Sequence, residues 1–78
     1  MPHMDERVIE WSRGRRVRIV VMDVPADFDR LIRRVADDAR LTNDRAVLAD
    51  DVSHVFGKHV RMRSIPIQQG EEIVIEVG

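Results

Sequence analysis

Seventy-eight residues, 44% of them hydrophobic and none of them cysteine, allow one small folded domain. They exclude disulfides, a thiolate zinc site and a cysteine nucleophile. The net charge is −1, from 13 basic and 14 acidic side chains, which is not the basic excess expected of a phosphate-binding domain.

The charge is nonetheless segregated. Residues 1–18 carry five arginines against Asp5, Glu6 and Glu10, whereas residues 19–51 carry five arginines against eight aspartates. Lys58 is the only basic residue that is not arginine. No apolar run approaches the roughly 20 residues that span a bilayer, and the start, MPHMDERV, lacks the apolar segment of a secretory signal. The expectation is a cytoplasmic protein with no membrane contact, one domain over 1–78, and residues 1–4 as a disordered start or an expression scar.

The first predicted elements are a strand at ERVIEW (Glu6–Trp11), a tight turn at SRGR containing Gly14, and a second strand at RVRIVVMDV. Alternation in that second strand sets Val17, Ile19 and Val21 on one face and Arg16, Arg18 and Val20 on the other. Pro25 ends the strand. Asp27 is then a candidate N-cap for a helix burying Phe28, Leu31, Ile32, Val35 and Ala39, and ending near Leu41.

The segment Thr42–Asp51 can be a loop whose Val47 and Leu48 plug the core, or a short second helix capped by Asn43 or Asp44; the loop is favoured. DVSHVFGKHVRM reads as a second hairpin turning at Gly57–Lys58. Ser64–Ile67 leads into a glycine turn at QQGEE, and Ile73–Val77 closes the chain as an apolar, central strand. The predicted architecture is therefore α+β: one helix packed on a mixed sheet of four to five strands.

Three pieces of this chain resemble the ubiquitin-like β-grasp family. RGRRVRIVVMDVPADFDRLIRRV is similar to its first hairpin running into the helix, with Gly14 in the turn and Phe28, Leu31 and Val35 buried. VFGKHV (Val55–Val60) resembles its Gly-Lys turn between middle strands, and IPIQQGEEIVIEVG its closing turn and last strand. A narrower likeness, through VRIVVMDVPADFDRLIRRVA, is to bacterial ubiquitin-like accessory proteins, including small subunits of multicomponent monooxygenases. Members that serve as modifiers or sulfur carriers end in Gly-Gly. This chain ends Glu76-Val77-Gly78, so the resemblance implies an interaction module rather than a carrier activated at Gly78.

On the family's plan the outer sheet face binds a protein partner, and that face is expected to comprise Trp11, Arg16, Arg18, His54, Val74 and Glu76. Trp11 is placed across from Arg16 and beside Arg18, as an arginine-flanked ring of the kind that anchors protein interfaces. The alternative is an arginine-driven nucleic-acid binder using the first hairpin with Arg61 and Arg63, although Phe28 and Phe56 are the only other aromatics for stacking.

His54 and His59 show no metal-ligand spacing. Asp37, Asp38, Asp44, Asp50 and Asp51 do not follow the calcium-loop pattern. No nucleophile motif or phosphate-binding glycine loop is present. The expectation is a non-enzyme without cofactor or metal, of undefined oligomeric state.

Overall fold

The computed structural model describes residues 3–78. Its element order is β1 (Asp5–Glu10), β2 (Arg15–Val21), α1 (Phe28–Ala39), α2 (Arg45–Phe56), β3 (Val60–Ile67) and β4 (Gly70–Val77). The four strands form one mixed sheet in the order β1-β2-β4-β3. Both hairpins are antiparallel, and β2 runs parallel to β4 from Arg15↔Glu71 to Val21↔Val77. Both helices cover the same face of the sheet, giving a two-layer α+β domain.

Alternation explains the layering. Val17, Ile19 and Val21 of β2 and Ile73, Ile75 and Val77 of β4 are buried against Phe28, Val35 and Ala39 of α1 and Leu48 and Val52 of α2. The two central strands thus present six branched aliphatic side chains to one core, the arrangement that a pleated surface packs best. β4 is central, as its apolar run predicts.

Two expectations are corrected. Of the loop favoured for 42–51, residues 45–51 form the first half of α2; of the hairpin read at DVSHVFGKHVRM, residues 51–56 form its second half and residues 60–62 begin β3. Asp44 caps this helix by accepting from the Ala46 and Val47 N–H groups, and Gly57 ends it at φ 64° in the left-handed region. Gly57–Lys58 is therefore a helix stop and not a strand–strand turn. Among the described residues there are two helices where one was expected, and four strands.

Asp27 does occupy the N-cap position of α1, but its side chain makes no capping bond and instead pairs with Arg30. The expectation for residues 1–4 falls partly outside the described residues. His3 and Met4 are placed, and the His3 carbonyl accepts from the Val24 N–H at 3.2 Å.

The first turn differs by one residue from its expected register. Ser12, Arg13 and Gly14 form a three-residue loop in which Arg13 has φ 64° and Gly14 φ 71°. The Trp11 N–H donates to the Arg15 carbonyl at 3.0 Å, and Glu10 pairs with Arg16. A one-residue slip exchanges the two faces of a strand, so Trp11 lies on the helix side.

Candidate functional site

The helix-free face of the sheet is built from the residues that alternate with the core. Reading across β1, β2, β4 and β3, the register aligns Glu6, Val20, Glu76 and Arg61 in one row. The next row is Val8, Arg18, Val74 and Arg63, and the third is Glu10, Arg16, Glu72 and Ile65. Four glutamates and four arginines share this face, so it is strongly charged locally and neutral in sum.

Glu72 organises the face. Its side chain is only 8% exposed, and its two carboxylate oxygens separately accept from Arg16 Nε at 2.8 Å and Arg18 Nε at 2.5 Å. The hydrogen bond from Arg18, with the second from Arg16, holds the Glu72 carboxyl below its ordinary value despite burial. Arg18 also reaches Glu6 at 2.6 Å. Arg63 Nε lies 3.5 Å from Glu76. Arg61 has no acidic partner among the described residues. Val74 is covered, at 2% exposure, between Arg18 and Arg63 in its row, where arginine stems screen an apolar side chain while their heads stay wet.

Of the six residues expected on this surface, Arg16, Arg18, Val74 and Glu76 share it. Trp11 and His54 do not. Trp11 is buried in the helix-side core, and its Nε1–H is shared between the Ala39 carbonyl at 2.9 Å and the Thr42 carbonyl at 3.0 Å. Those acceptors belong to the end of α1 and the segment after it, so the indole caps carbonyls that the helix cannot satisfy itself. Its cationic neighbour is Arg15, 3.9 Å above the ring, not Arg16. His54 is exposed on the last turn of α2, away from the sheet's open face. Trp11 is therefore structural, and its parity with Ile9 along β1 is the signal that could have shown this.

Glu72 was not singled out in the sequence, because alternation reveals which face a residue occupies and not which cations converge on it. Asp51, one of the aspartates that fit no calcium loop, is a second such residue. It stands on α2, facing Asp38 of α1, with a buried Oδ2 that lacks a hydrogen-bond partner. Burial, then the adjacent Asp38 carboxyl, raise the Asp51 carboxyl to about 6, against smaller opposing effects of Arg34 and His54.

Among the described residues no group of three or more histidine and acidic side chains is arranged to hold a metal ion. Nor is any helix there long and apolar enough to cross a membrane. Compared with known proteins, the chain matches no family model, no curated protein and no solved structure.

Proposed function

We propose that this chain is a non-catalytic protein–protein interaction module, an accessory or adaptor subunit that docks its partner on the helix-free face of the sheet. The observation that carries this reading is the grid of four arginines and four glutamates fixed by Glu72. Arg16, Arg18, Glu6 and Glu72 are tied together by ion pairs, so little of their side-chain freedom is lost on docking. A patterned, neutral surface of this kind selects a partner by complementary charge order more than by apolar area.

The likeness to the ubiquitin-like β-grasp is carried as a subordinate part of this proposal. The hairpin leading into α1 and the closing strand at the sheet's centre support it, while α2, which buries Leu48 and Val52 in the core where strands were expected, counts against it. The Gly-Lys piece gives no support, since it ends α2.

The competing nucleic-acid reading loses much of its force, because Arg16 and Arg18 are already engaged by Glu72 and Glu6. Counterion release requires cations free to meet phosphate.

The test is capture of partners by the immobilised chain, compared with an Arg61→Glu/Arg63→Glu variant that reverses two exposed positions on the edge of the grid. Loss of the captured species, with unchanged circular dichroism, supports docking on this face. Equal capture by both proteins overturns it. An oligonucleotide titration at low salt separates the alternative, which demands binding that weakens steeply as salt rises.

A further inference from the structure

We propose that β1 pairs antiparallel with β1 of a second copy of this chain, about a two-fold axis at Ile9, extending the sheet to eight strands. This surface is distinct from the helix-free face and does not depend on its function.

The main-chain groups of β1 point alternately toward β2 and out from the sheet. The Trp11 N–H is bonded to Arg15 across the hairpin, so in an antiparallel ladder Ile9, Arg7 and Asp5 also turn inward to β2. Glu6, Val8 and Glu10 therefore direct their N–H and C=O groups out from the sheet. At Glu6 both are answered locally: the N–H donates to Asp5 Oδ1 at 2.7 Å, and the carbonyl accepts from Arg7 Nη1 at 3.1 Å. Val8 and Glu10 have no such partners among the described residues. The edge is closed at one end and open at the other, and an open strand edge is a template for another strand.

The open half lies beside a groove. Ile9 and Trp11 on the sheet side and Ala36, Ala39 and Arg40 on the α1 side enclose about 500 Å³. The small alanines leave this space unfilled next to the same residues whose backbone is free.

Charge selects the register in which a second copy fits. A two-fold perpendicular to the sheet keeps side chains of opposed residues on one face, so only registers whose opposed positions sum to an even number are allowed. Centring on Ile9 opposes Val8 to Glu10 of the second copy and Arg7 to Trp11, with no like charges facing. Centring on Arg7 opposes two arginines. Centring on Val8 opposes Glu6 to Glu10, and centring on Glu10 opposes two glutamates. Like charges directly across a pair are destabilising. The register that avoids them also makes Val8 and Glu10 hydrogen-bonded pairs, so it uses the groups that are free. The other edge is poorer: Gly78 N–H donates to the His59 carbonyl, which turns the Pro66 nitrogen outward, and proline has no hydrogen to donate.

The experiment is sedimentation equilibrium of the full chain and of Val8→Pro, from about 5 to 200 μM, the range over which weak to moderate homodimers dissociate. Val8 N–H faces outward, so proline there leaves the β1–β2 ladder bonded. The expected result is a dimer for the native chain and a dissociation constant raised at least about 30-fold by the variant, because two intermolecular hydrogen bonds disappear by symmetry. A native chain that stays monomeric throughout overturns the proposal, leaving the edge to a strand from a different protein. So does a dimer indifferent to proline in a folded variant. Should the variant unfold, amide exchange in the native chain decides. Protection of the Val8 and Glu10 amides that rises with concentration supports the pairing, and concentration-independent exchange refutes it.

Discussion

The two faces of the sheet are made by the same central strands, one residue out of step, and they are stabilised by opposite means. Toward the helices, Val17, Ile19, Ile73 and Ile75 are fully buried and need no directional partner. Away from them, Glu72 is nearly as buried and survives only because two guanidiniums converge on it. Apolar burial is additive over area, whereas a covered carboxylate depends on every bond it makes. The contrast predicts that the same strands respond differently to substitution on their two sides.

The largest effect belongs to the helix side. Ile19→Ala removes a fully buried side chain from the middle of β2, and is expected to destabilise the domain by about 2–5 kcal/mol in urea unfolding. Val20→Ala, one residue away on the open face, should cost well under half as much. Equal losses at the two positions would erase the distinction between the faces.

Next comes Glu72→Gln, which keeps the shape and removes the charge. Each hydrogen bond to a charged group contributes about 1.5–3 kcal/mol, and the amide retains part of that, so a net loss of about 1–2 kcal/mol is expected at neutral pH. The Glu72 carboxyl is lowered in the fold from its ordinary 4.5. Its contribution is thus complete above that value and fades as pH falls through the lower, folded-state value. The stability gap between native chain and variant should narrow on acidification below about 4.5 and stay constant above it.

Trp11→Phe sharpens the assignment of that residue to the helix side. Phenylalanine keeps the ring but cannot donate to the Ala39 and Thr42 carbonyls. A loss of about 1 kcal/mol in thermal unfolding is expected, with capture of partners by the open face unchanged. Reduced capture without reduced stability would return Trp11 to the docking surface.

Much of this contrast was legible before any coordinates. The alternation of RVRIVV and the apolar IVIEV assigned Val17, Ile19, Val21, Ile73, Ile75 and Val77 to one layer correctly, because side-chain period is a strict property of extended chain. What failed was register and context. Gly14 suggested a two-residue turn, but Arg13 also accepts a left-handed backbone, and the extra residue moved Trp11 across the sheet. In α2 the spacing Leu48, Val52, Phe56, the cap at Asp44 and the stop at Gly57 were all present in the sequence. Val52 and Val55 favour strand in isolation, and packing of Leu48 and Val52 in the core overrides that preference. Glu72 and Asp51 illustrate a further limit. Their environments arise from residues more than 12 positions away, Arg16 and Arg18 for one and Asp38 for the other, and no local pattern encodes that convergence.

The smallest expected effect tests a carboxyl whose situation mirrors that of Glu72. Glu72 meets two cations and its proton affinity falls; Asp51 meets the carboxyl of Asp38 under partial cover and its affinity rises, to about 6 from 3.8. The signs are therefore opposite. A group with a raised folded-state value stabilises the fold most when protonated, fully below the unfolded value, and this contribution is lost as pH climbs through the folded one. Asp51→Asn mimics the protonated form across the whole range. The variant should match the native chain near pH 4 and exceed it in stability above about pH 6. The expected margin is about 1 kcal/mol, less than the pKa displacement alone implies, because solvent screens a partly covered pair. Arg34, 3.9 Å from Asp38, and His54 both moderate the effect. Taking the difference between the two proteins at each pH cancels the opposing titration of Glu72. Parallel stability curves from pH 4 to 7.5 would mean that the Asp51 carboxyl is not raised in the fold, and that the junction of α1 and α2 is insensitive to pH.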